Sequence, residues 1–173
     1  MIELNKYQEL KPHRLKRIFW CACNAFLFPV LSRRMRRALV RLFGGRIGNS
    51  LIYRSVRIYA PWNLEMGDWC CIGPRVEIYN KGPVRIGHHV AISQDAYVCT
   101  ASHDVDSPTM ALVTKPVVIG DGSWIAARAV ILPGVTLGRG AVVGCAAVVP
   151  RDVPDRCVVG GNPARVLKER AVG

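Results

Sequence analysis

The stretch CTASHD, residues 99–104, sets His103 beside Asp104, with Asp106 two positions on. Histidine ordinarily titrates near neutral pH, so it suits the work of drawing a proton from a hydroxyl. A neighbouring carboxylate, Asp104 or Asp106, could orient the ring or could equally be a loop-surface charge. By residue type alone His103 reads as a solvated loop histidine, so its surroundings must decide. His88 and His89 follow Gly87 and read as corner surface residues, and His13 completes the set of four. Seven cysteines make an odd number with no CxxC pair or zinc-ligand spacing, and they read as small apolar side chains in a reducing compartment.

The surroundings of His103 are periodic. Positions 119, 125, 131, 137, 143 and 149 are Ile, Ile, Ile, Leu, Val and Val, and the positions two places earlier are all small or β-branched. Helices require apolar spacings of three and four, and ordinary strands alternate, so a period of six fits neither. It fits a hexapeptide β-helix, in which each short strand and turn makes one side of a coil and the aliphatic residue stacks on its counterpart in the next coil. The same period runs through Ile52, Ile58, Met66, Ile72, Ile78, Ile86, Ile92 and Val98, with two steps of eight, 58 to 66 and 78 to 86. With three sides per coil, both inserts and the long break from Val98 to Ile119 fall on one edge of a triangular prism. His103 lies in that break. Loops on a rigid scaffold are favoured places for binding and catalytic groups, and three irregularities stacked on one edge mark a site more strongly than one.

The segments IAARAVILPGVTLGRGAVVG and VVGGNPARVLKER resemble the hexapeptide-repeat acyltransferases, in particular the maltose and galactoside O-acetyltransferase group. PWNLEMGDWCCIGPRVEIYN, ISQDAYVCTASHD and GNPARVLKER resemble most the colanic-acid type acetyltransferases of bacterial exopolysaccharide synthesis, over nearly the whole chain. The resemblance implies an all-β, left-handed parallel β-helix at 47–156 with an extruded loop at 99–116, a partly helical N-terminal appendage at 1–46 and a C-terminal tail at 157–173. It implies acetyl-CoA as co-substrate, no metal, a homotrimer and active sites between neighbouring subunits. It also places the general base on His103, with Asp104 as a candidate orienting group. An activated thioester needs no enzyme nucleophile, only a base for the sugar hydroxyl and donors for the oxyanion.

By the same resemblance, pantetheine lies against small turn residues at Ala127 and Cys145, and the CoA phosphates meet Arg151, Arg165 and Lys168. Arginine and lysine are suited to phosphate, though each is as readily an exposed charge. Trp124 matches a residue lining the acceptor and thioester region, or is a packing residue at a corner. Asn80 stands where related sugar enzymes often carry an acidic, hydroxyl-binding residue.

The net charge of +12 is uneven. Residues 1–46 hold eleven Lys/Arg against Glu3 and Glu9, and the body is only mildly basic. That division argues against a nucleic-acid-binding domain, whose basic surface belongs to the fold. The apolar centre of the appendage, Ile18 to Leu31, is broken by Asn24 and Pro29 and is too short to span a bilayer. The SRRMRRALVR that follows opposes export, so a cytoplasmic enzyme is expected. The appendage then either caps the β-helix with Phe19, Trp20, Phe26 and Phe28 buried, or lies on the anionic inner face of the membrane, or does both.

Three other readings compete. A β-helix carbonic anhydrase needs three zinc histidines, and the four present have no suitable loop spacing. A non-catalytic trimeric scaffold would not need the histidine loop or the basic tail. An acetyltransferase of soluble sugars or small antibiotics would not need the basic appendage, whereas an enzyme acting on a saccharide linked to a lipid carrier would gain from it.

Overall fold

The computed structural model describes residues 14–171; Lys6, Lys11 and His13 lie outside the described residues. The hexad residues become the interior. Ile119, Ile125, Ile131, Leu137, Val143 and Val149 are all buried, as are their counterparts from Ile52 to Val98. Short parallel strands form three sheets of five, seven and five strands, the seven including a final antiparallel strand. On the first sheet Ile47, Met66, Ile86, Ile119 and Leu137 stack in register. On the second the column is Ile52, Ile72, Ile92, Ile125 and Val143, and on the third Ile58, Ile78, Val98, Ile131 and Val149. The result is a parallel β-solenoid of hexapeptide repeats. Fully burying one such side chain contributes about 1.5–3 kcal/mol, so the columns are the main source of stability.

Tight corners between sides force some backbone into the left-handed region. Arg75, Asp95, Arg128 and Ala146 recur with positive φ at one corner, and Trp69, His89, Gly122, Gly140 and Arg156 at another. The third edge collects the irregular segments. It holds the turn Pro61–Asn63, the segment following Glu77–Tyr79, and the excursion between Tyr97–Cys99 and Val117–Ile119. Beyond residue 156, Cys157–Gly161 extends the second sheet beside Val142–Val143, and Ala164–Glu169 folds back on it antiparallel.

The N-terminal appendage caps the first coil. It consists of helix α1 (Arg14–Ala22), a π-helical turn (Cys23–Leu27) and helix α2 (Arg33–Leu42), whose start is capped by the Ser32 side chain. In successive coils the N–H groups of one coil donate to carbonyls of the next, as Tyr53 does to Ile72 and Leu51 to Cys70. Carbonyls of the first coil have no preceding coil to satisfy them. Side chains from the appendage do so instead. Arg36 Nε donates to Ile52 O at 2.9 Å, Arg37 to Ser50 O at 3.0 Å and Arg41 Nε to Ile47 O at 2.9 Å. Trp20 Nε1 donates to Ile58 O, and Asn24 to Val56 O. Three arginines of the appendage are thus committed as donors to a cap, since a buried acceptor left without a donor is costly.

The aromatic residues divide. Trp20 and Phe28 are fully buried, edge to face, and Trp20 also meets Phe43. Phe19 and Phe26 are exposed, contrary to the expectation that a cap would bury all four. The cysteines also divide: all seven are thiols, of which Cys70, Cys99 and Cys157 are buried while Cys21 and Cys145 are exposed. Burial pushes the Cys70 and Cys71 thiols above their usual range.

Candidate active site

His103 ends the strand Ala101–His103, which pairs antiparallel with Leu112–Thr114 so that His103 faces Leu112 across the ladder. The base of this hairpin is anchored by Thr100, which is fully buried. Thr100 N donates to Tyr79 O, Lys115 N donates to Thr100 O, and Gly82 N donates to Thr100 Oγ1 at 2.8 Å. The exposed imidazole therefore stands on a hairpin tied to two adjacent coils.

The ring is oriented by backbone. His103 Nδ1 lies 2.6 Å from Met110 O. A carbonyl can only accept, so Nδ1 carries the proton and the lone pair of the neutral ring resides on Nε2. Met110 holds φ of 46°, in the region that side chains disfavour. The Asp104 carboxylate is engaged in its own turn: its Oδ1 accepts from Asp106 N at 3.1 Å, and the Asp104 N–H donates to Ala111 O. The acceptor at His103 Nδ1 is a main-chain carbonyl.

Asn80 departs from its expected role. It is completely buried; its Oδ1 accepts from Ala60 N at 2.9 Å and its Nδ2 donates to Ala60 O at 2.6 Å. Both ends are committed to the backbone that the first insert displaces from the strand ladder, so the side chain holds the edge and does not reach an acceptor. Asn63 continues the tie, donating to Asn80 O and to Lys81 O at 2.7 Å.

The remaining candidates occupy two places. Trp124 sits on the second sheet between Ala91 and Val142, half exposed, with Nε1 donating to Ser93 Oγ at 3.0 Å. Ala127 and Cys145 follow it in stacked corners between the second and third sheets, where Ala146 N donates to Ala127 O. Arg165 and Lys168 are exposed on the final strand flanking the same sheet, with Lys168 opposite Val158. His103, by contrast, is on the edge between the third sheet and the first, where Arg151 also lies. One chain does not bring the histidine and the second-sheet group together.

Sequence reasoning missed a small cavity at the foot of the histidine hairpin. It has a volume of about 290 Å³ and is lined by Tyr59, Trp62, Asn63, Lys81, Leu112 and Arg17, among others. Leu112 is the cross-strand neighbour of His103. Lys81 lies over the Tyr59 and Tyr79 rings and Lys16 over Trp62. The two steps of eight were the available signal, because they fall on the segments that wall this cavity. Among the described residues no group of three or more His, Cys, Asp or Glu is gathered as a metal site.

The comparisons with known proteins place this hexapeptide solenoid in a class of acyl-transfer enzyme. Residues 116–151 match the family "Bacterial transferase hexapeptide (six repeats)". The chain is 42% identical over 155 residues to the Escherichia coli K12 protein named "Putative colanic acid biosynthesis acetyltransferase WcaF", covering 87% of this chain and 85% of that one. It is 34% identical to the galactoside O-acetyltransferase of the same strain, over 78% of this chain and 68% of that enzyme. A Vibrio cholerae hexapeptide-repeat acetyltransferase, solved in complex with acetyl-CoA, superposes with a TM-score of 0.85 at 30% identity, covering 98% and 95% of the two chains. The chain belongs to the hexapeptide-repeat acetyltransferase family.

Proposed function

We propose that this acetyltransferase moves the acetyl group of acetyl-CoA to a saccharide hydroxyl in bacterial exopolysaccharide or surface-polysaccharide biosynthesis, with His103 as general base. The observation that carries the reading is the His103 Nδ1 contact with Met110 O, which leaves the basic lone pair on Nε2. Nε2 takes the hydroxyl proton as the sugar oxygen attacks the thioester carbonyl carbon. Collapse of the tetrahedral intermediate breaks the carbon–sulfur bond, and the departing CoA thiolate takes the proton from the imidazolium. The acetyl-CoA complex of the Vibrio cholerae protein and the name of the Escherichia coli relative support the donor and the pathway.

The cavity beside the hairpin supports a saccharide acceptor. Tyr59 and Trp62 bring aromatic rings to its wall, and Arg17, Asn63 and Lys81 bring polar groups of the kind that line sites for hydroxylated ligands, with Arg17 already donating to the Tyr59 hydroxyl and Asn63 Nδ2 to Asn80 O and Lys81 O. The separation of His103 from Trp124, Ala127, Cys145, Arg165 and Lys168 supports a homotrimer in which a neighbour supplies the donor half of each site. In that reading Ala127 and Cys145 line the pantetheine path, and Arg151, Arg165 and Lys168 meet the phosphates.

The test has two parts. Thioester cleavage by the purified chain is measured with acetyl-CoA against a panel of saccharides, and the polysaccharide from cells with and without the protein is compared by mass spectrometry. Saccharide-dependent CoA release together with loss of one acetyl mass per repeat supports the reading. An unchanged polysaccharide, with CoA release stimulated only by small soluble acceptors, contradicts the pathway assignment.

A further inference from the structure

Large exposed apolar residues are concentrated on the N-terminal cap. Leu15, Ile18, Phe19 and Phe26 follow one another at spacings of three, one and seven, which place them on one stripe of the helical segment. Phe19 is 69% exposed and Phe26 78%, whereas Trp20 and Phe28 are both 0% exposed against the solenoid. Leu27 and Val30 extend the exposed patch toward α2. The buried rings and the Arg36, Arg37 and Arg41 hydrogen bonds pin the cap down, so the stripe is held outward.

The flank of the same segment is cationic and concave. A cavity of about 750 Å³ separates α1 and the π-turn from the first two coils. Cys21, Asn24 and Pro29 line it on the cap side, and Arg54, Arg57 and Arg75 on the solenoid side. Arg75 is bidentate to Asp95, and Glu77 is the acidic residue lining the cavity. Arg54 and Arg57 form no ion pair among the described residues. Arg14, Arg33 and Arg34 add exposed charge on the cap.

We infer that this end of the molecule docks on an anionic lipid surface, with the stripe entering the acyl boundary and the arginine-lined cavity receiving lipid phosphate. This goes beyond the acetyl-transfer reading and does not depend on it. The apolar stripe alone would fit several occupants; the cationic concavity beside it selects one that is apolar and anionic at once. A bilayer bearing phosphate headgroups has both properties in the required order, apolar interior next to negative surface. No described helix is long and apolar enough to cross a membrane, so the contact is interfacial. The arginine donors available to a headgroup are fewer than the sequence suggests, because Arg36, Arg37 and Arg41 donate to first-coil carbonyls and Arg46 is paired with Glu65. Attachment therefore rests on the rings together with the cavity arginines, and salt alone should weaken it without abolishing it.

Flotation of the full-length protein with vesicles tests this, using phosphatidylcholine alone and phosphatidylcholine mixed with phosphatidylglycerol. The wild type should float with the mixed vesicles and largely fail to float with phosphatidylcholine. The double variants Phe19→Ser/Phe26→Ser and Arg54→Gln/Arg57→Gln should each reduce the floated fraction at least about tenfold. All four positions lie on the surface or in the open cavity, and circular dichroism with sedimentation verifies that each variant keeps its fold and assembly. Wild type that stays with the unbound protein overturns the inference, as do variants that float like wild type. So does a Phe19→Ser/Phe26→Ser protein that loses subunits, which would assign the stripe to a second copy of the chain. Acetyl transfer to a soluble saccharide is read in parallel; its retention in both variants separates this inference from the proposed reaction.

Discussion

His103 Nδ1 and the carbonyl oxygen of Met110 are 2.6 Å apart, joined across the turn that links two short antiparallel strands. The contact fixes both the tautomer and the direction of the ring, and it does so through main chain. A histidine on a flexible loop would lose much of its effectiveness as a base, because proton transfer requires a held geometry. Here the loop is tied at its base by Thr100 and at its tip by the Asp104 turn.

Asp104→Asn should leave turnover within about tenfold of wild type. The amide oxygen can still accept from Asp106 N–H, and one net hydrogen bond is worth only about 0.5–1.5 kcal/mol. Steady-state kinetics with the best saccharide decides between this and an orienting carboxylate. A loss of a thousandfold would restore Asp104 to the imidazole.

Arg36→Met should destabilise the protein by about 1–3 kcal/mol, because carbonyls of Ile52 and Leu31 would lose their donor. Arg36 is buried despite its charge, and burial with neighbouring Arg33 and Arg54 lowers its pKa. The exposed Arg34→Met is the control and should lie within about 0.5 kcal/mol of wild type. Chemical denaturation of both variants measures the difference; equal stabilities would mean that the cap contributes nothing through these bonds.

Much of the interior was legible in the sequence, because stacking in register demands the same kind of side chain every sixth residue. Even the shared edge of the inserts followed from counting Ile58 to Met66 and Ile78 to Ile86. The orienting carbonyl was not legible, since Met110 acts through an atom that every residue possesses, placed by one unusual φ. Asn80 misled for a related reason: an amide that would suit a sugar hydroxyl also suits the stranded N–H and C=O of Ala60. On the cap, four similar aromatic residues have opposite environments. Their composition does not distinguish Trp20 from Phe19; the direction in which each side chain leaves the helix does.

The Arg75–Asp95 pair links successive coils at one corner, and the hydrogen bond and charge of Arg75 hold the Asp95 carboxyl below its usual range. A lowered folded-state pKa means that the contribution is present above the unfolded carboxyl value and is lost as pH falls through the folded one. Wild type should therefore lose stability relative to Asp95→Asn on acidification from neutral pH. Both groups are solvent-exposed, so the difference should be small and should shrink with added salt. Thermal melts across that range at two ionic strengths check it; a gap that widens in acid would contradict the pairing.

The central claim is that His103 is the base of an acetyl-transfer reaction, and the most direct measurement is kcat for His103→Ala with acetyl-CoA and a saccharide acceptor. Because His103 is exposed at the end of its strand, the variant should keep the thermal stability and assembly of the wild type. Turnover should fall by about 10²–10⁴-fold, the usual share of a positioned general base. A folded His103→Ala protein that turns over at the wild-type rate would contradict the account.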